Sequence, residues 1–60
     1  MSLTAKQLAI IEAQLDEEQV QIKRYTHYAR LASDPQLKSR FEHNAARHRC
    51  LYNRLLEQLN

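Results

Sequence analysis

The chain is 60 residues long, carries a formal charge of +2, and contains no glycine, one proline and one cysteine. That length allows one small domain, residues 1–60, whose core is modest enough that such chains often need oligomerisation, metal or disulfides. The single Cys50 excludes an internal disulfide and any Cys-x-x-Cys motif. No run approaches the roughly 20 apolar residues of a membrane span, and the N-terminus lacks the basic and apolar regions of a secretory signal, so a soluble protein made in the cytoplasm is expected.

Ala, Leu, Glu, Gln, Lys and Arg dominate, which is the composition of long helices. The first start signal is Leu3-Thr4-Ala5-Lys6-Gln7-Leu8: Thr4 as N-cap, Gln7 closing a capping box, Leu3 and Leu8 as a hydrophobic staple. From there Leu8, Ile11, Leu15, Glu18, Ile22, Tyr25, Ala29 and Ala32 alternate by three and four residues, a seam with Glu18 as its one polar member. Ile10, Val20, Tyr28 and Leu31 lie off that seam and widen the apolar surface.

At Ser33-Asp34-Pro35 the pattern breaks. Pro35 disfavours the α region for the residue before it, and Asp34 is a strong N-cap, so a second helix should start with Pro35 at its first position. Leu37, Phe41, Asn44, His48, Leu51, Leu55 and Gln58 continue the three-four spacing, flanked by Ala45, Tyr52 and Leu59. The fold predicted is all-α: an antiparallel two-helix hairpin over about 5–32 and 35–59, its connection too short for any other arrangement. Faces this broad call for more than one neighbour, so two hairpins should associate as a homodimeric four-helix bundle about 38 Å long.

Folding back about the turn brings Glu18 level with His48 and Leu51, and Tyr25 level with Asn44. Buried polar groups must find partners or cost about 1–3 kcal/mol each. One reading is a polar layer that fixes register, with Glu18 accepting from His48 or from the Tyr25 hydroxyl. The sharper alternative is a metal site, in which a two-fold axis gathers two Glu18 carboxylates and two His48 imidazoles for Zn²⁺ or iron. One Glu and one His per chain are few for a carboxylate-rich site, and Glu42 is followed three residues later by Ala45, not by the His of a di-iron bundle. No cofactor is therefore expected.

Residues 35–60 hold five basic and two acidic groups, and Arg40, Arg47 and Arg54 recur every seven positions, with Lys38 and Arg49 nearby. Such a stripe is a candidate phosphate contact, and a dimeric hairpin could bind RNA with it as the plasmid repressor-of-primer protein does. Glu42, Glu57 and the low net charge favour instead a solvated face or ion pairs with Glu12 or Glu17. His27 and His43 fall outside the seam and should be exposed. Cys50 is a candidate for interchain oxidation, and its default is an inert, partly covered thiol. Nothing points to an enzyme: there is no Gly-rich phosphate loop, no His-Glu-x-x-His and no cleft in a lone hairpin.

Glu18, Ile22-Lys23, Tyr25, Tyr28-Ala29, Asp34 to Lys38, Ala46, His48, Leu55 and Leu59-Asn60 together resemble the small spore coat proteins related to coat protein F of endospore-forming Firmicutes. The likeness covers almost the whole chain, and Tyr-x-x-Tyr-Ala before the turn and Asp-Pro-x-Leu after it are its most specific parts. It implies a ferritin-like helical bundle of which this chain supplies half. It also implies a structural protein made in the mother-cell cytoplasm and deposited on the spore coat, with itself and other coat proteins as partners. The missing Glu-x-x-His means that iron oxidation is not implied.

Overall fold

The computed structural model describes residues 3–59. Met1, Ser2 and Asn60, which belong to the expected 1–60 domain, lie outside the described residues, and so does the Asn60 of the family resemblance. Two helices make up the fold, α1 (Ala5–Leu31) and α2 (Pro35–Glu57), and no strand occurs among the described residues.

Each helix starts where its cap was expected. The Thr4 hydroxyl accepts from the Gln7 N–H at 3.1 Å, while the Gln7 side chain accepts from the Thr4 N–H at 3.0 Å, which completes the capping box. At α2 the Asp34 carboxylate accepts from the Gln36 N–H at 3.0 Å, and Pro35 takes the first turn, where no N–H is needed.

The ends differ from expectation by one and two residues. Ala32 is the C-cap of α1 and not its last helical residue: it turns extended at φ −70°, ψ 124°, and its N–H still reaches the Tyr28 carbonyl at 2.9 Å. The chain must leave the helix there because Asp34, ahead of proline, also needs extended backbone, seen at φ −75°, ψ 121°. α2 closes at Glu57, and its last turn tightens to three-residue bonds, Gln58 N–H to Leu55 O at 3.1 Å and Leu59 N–H to Leu56 O at 3.0 Å. Gln58 is therefore an exposed cap residue instead of a seam residue.

The helices pack side by side into a plank of 46 × 15 × 10 Å. Their line of closest packing is marked by the only two buried residues among those described, Ala29 at 6% and Ala45 at 2% exposure. Methyl side chains there let the backbones approach. Ile11, Leu15, Glu18, Ile22 and Tyr25 of α1, and Phe41, Asn44, His48, Leu51 and Leu55 of α2, are half-buried as the seam spacing requires. Leu8 and Leu37 share the seam phase but stand more than a third exposed near the two ends, where a single partner helix covers them on one side only. Ile10, Val20, Tyr28 and Leu31 are exposed, Leu31 at 69%.

Candidate functional site

The polar break in the seam sits at the middle of the plank, with Glu18 at the centre of α1. There the Nδ1 of His48 hydrogen-bonds the Oε1 of Glu18 across the two helices. The pair is mostly out of water, with the His48 side chain 25% and the Glu18 side chain 16% exposed. It is the one contact between a basic and an acidic side chain within salt-bridge distance among the described residues.

The imidazole is held from a second direction. Its ring stacks on Tyr25 at 9° between planes and 5.7 Å between centroids, and Tyr25 continues into a cluster with Tyr28 and Phe41 at 6.1 Å each. Two supports, a carboxylate and an aromatic face, fix the ring orientation. The remaining ring nitrogen, Nε2, has no partner among the described residues, and no unpartnered side-chain nitrogen or oxygen among them is buried, so Nε2 meets solvent.

Of the expected donors to Glu18, His48 is the one used. The Tyr25 hydroxyl makes no hydrogen bond among the described residues, and Asn44, half-buried on the same stripe, makes none through its side chain. Tyr25 meets His48 and Phe41 through its ring instead of meeting Asn44 through a polar contact. As a metal site the single chain falls short: among the described residues no three His, Cys, Asp or Glu side chains come together.

Of the two expectations for the arginine stripe, a solvated face or ion pairs with Glu12 or Glu17, the hairpin shows the solvated face. Arg40, Arg47 and Arg54 are all exposed and make no salt bridge among the described residues, and Arg54 stands at the rim of a shallow groove shared with Gln14 and Glu18 of α1. The basic residue that does reach across is Arg49, whose guanidinium donates to the Thr26 hydroxyl at 3.2 Å. A second bridge, from the Gln19 amide to the Tyr52 hydroxyl at 3.1 Å, joins the helices on the same side. Neither bridge was read from the sequence, since both belong to residues flanking the seam, but Tyr52 beside the seam was the available signal. His27 and His43 are exposed as expected, and Cys50 is a free, exposed thiol and not a partly covered one.

Comparison with known proteins adds no relative: no protein-family model, curated protein or solved structure matches this chain. No helix among the described residues is long and apolar enough to cross a membrane.

Proposed function

We propose that this chain is a non-enzymatic structural protein that acts by assembly, two hairpins closing into a homodimeric four-helix bundle of ferritin-like form. The observation that carries this reading is its surface. A compact folded protein of 7.1 kDa exposes about 4,100 Å², whereas this chain exposes 5054 Å². The excess, on the order of 1,000 Å², is close to the roughly 800 Å² each partner contributes to a standard interface. Ile10, Tyr28, Leu31 and Leu37 stand in that surplus, a larger apolar display than a monomer of this size keeps.

The setting comes from the resemblance to the coat protein F-like family, whose Tyr25-x-x-Tyr28-Ala29 and Asp34-Pro35-x-Leu37 serve here as aromatic cluster, close-packing methyl and helix start. On that reading the dimer is made in the mother cell and joins other proteins of the spore coat. Sedimentation at micromolar protomer concentration should give a mass of two chains. A folded species of one chain would overturn the proposal. Antibody labelling of sporulating cells should mark the spore surface, and label confined to vegetative cytoplasm would remove the coat assignment.

One observation favours a second reading. The guanidiniums of Arg40, Arg47 and Arg54 are unpaired among the described residues and spaced along one edge, which suits a phosphate backbone. RNA retention that weakens with salt and disappears in Arg47→Glu/Arg54→Glu would support it. Unchanged retention in that variant would count against it.

A further inference from the structure

We infer that the second copy docks on one face of the plank only, the face onto which the Glu18–His48 pair opens, so that the two pairs meet in the middle of the interface. This rests on the homodimer reading above and specifies its contact surface.

The two faces of the hairpin differ chemically. Residues advance by about 100° along a helix, so from the close-packing line at Ala29 and Ala45 the flanks can be assigned. On one flank the two helix-bridging hydrogen bonds, Gln19 to Tyr52 and Arg49 to Thr26, close the gap between helices. Glu12, Lys23, Arg30 and Glu42 stand exposed on that side. Leu8 and Leu56 at the open end are its only sizeable exposed apolar side chains among the described residues.

The other flank is unsealed. A shallow groove lined by Ile11, Gln14, Leu51 and Leu55, with Arg54 and Gln58 at its rim, runs along the open half, and a second, lined by Tyr28, Leu31, Leu37 and Phe41, lies at the turn. Glu18 borders the first groove, and with His48 it lines a third beside Val20 and Gln21, where Asp16, Glu17 and Arg24 add charges of both signs. The Nε2 of His48 is offered to solvent there, and only a partner bringing polar atoms at mid-height can answer it. A second copy does so by symmetry, because the two-fold that overlays the interfaces also overlays their centres.

The size also fits. One face of 46 × 15 Å presents on the order of 700 Å² in projection, about what one partner gives to a standard interface of roughly 800 Å². One face accounts for the surplus, and two would exceed it.

The test uses the full chain carrying Cys50→Ser with one new cysteine, Gln14→Cys on the unsealed face or Asn53→Cys on the sealed one, both at exposed positions. Each is nitroxide-labelled and followed by electron paramagnetic resonance through a dilution series, with sedimentation run in parallel. The label at position 14 should lose mobility as dimer forms, and the label at 53 should keep it. Loss of mobility at 53, alone or together with 14, overturns the choice of face and leaves the homodimer standing. Absence of dimer in sedimentation overturns the homodimer itself. As a second readout, Ile10→Lys should raise the dissociation constant at least about tenfold, equivalent to ~1.4 kcal/mol, and Lys23→Glu should leave it within about threefold. The opposite ranking would also overturn the choice of face.

Discussion

Breaking the Glu18–His48 pair should cost more than an exposed ion pair does, and a double-mutant cycle isolates how much. Exposed pairs couple by about 0.2–1 kcal/mol, whereas hydrogen bonds to charged groups contribute about 1.5–3 kcal/mol. With side chains only 16% and 25% exposed, the pair belongs nearer the second range, and a coupling of about 1.5 kcal/mol is expected. His48→Ala alone should cost more, about 2–3 kcal/mol, because it also removes the ring stacked on Tyr25. Wild type, Glu18→Ala, His48→Ala and the double variant would be unfolded in urea and followed by far-UV circular dichroism. All four must be measured at one protomer concentration, since dimerisation ties apparent stability to it. Equal m-values would show that the same surface is exposed in each. A coupling below about 0.3 kcal/mol, the range of independent sites, would refute the view that these two side chains act as a unit.

Asp34→Ala should destabilise the hairpin by about 1 kcal/mol through loss of the cap on the Gln36 N–H, and a midpoint equal to wild type in the same urea assay would contradict it. Ala45→Leu should cost about 1–3 kcal/mol by forcing apart the helices at their closest approach, whereas Ala46→Leu, one residue away and exposed, should change stability by less than about 0.5 kcal/mol. Protein incubated with Zn²⁺ or Fe²⁺ and gel-filtered should retain no stoichiometric metal, because among the described residues no three His, Cys, Asp or Glu side chains come together. Retained metal that is lost in His48→Ala would revive the metal-binding reading. Oxidation of the exposed Cys50 should give a two-chain band on a non-reducing gel, and monomer bands alone would remove the interchain crosslink.

Much of this architecture is written in short-range chemistry. Thr4 with Gln7 and Asp34 with Pro35 announce both helix starts because a cap is a contact between residues two or three apart. Helix ends carry no such signal here, with no glycine to mark them, so the spacing runs on to Ala32 and Leu59, past the ends at Leu31 and Glu57. The Glu18–His48 pair was legible because Glu18 is the one charged member of an apolar seam and the turn fixes what lies opposite. The bridges from Gln19 and Arg49 were not, since long polar side chains beside a seam have several partners within reach and rotamers decide among them. The same freedom explains the arginines: spacing shows that Arg40, Arg47 and Arg54 share an edge, but not that none of them closes a salt bridge among the described residues.

The aromatic cluster gives the hairpin a firm end and a loose one. Tyr25, Tyr28 and Phe41 interlock in the half nearest the turn, and Tyr25 carries the stack to the His48 ring at mid-height, whereas the far half relies on leucines such as Leu8, Leu56 and Leu59 that remain over a third exposed. Contacts near the turn also close the shortest loops, so they form at the least entropic expense and dissolve last. The molecule therefore behaves as a zip fastened at the bend. Backbone amides should exchange with deuterium fastest beside Thr4 and Glu57, and protection should rise steadily toward Ala29 and Ala45.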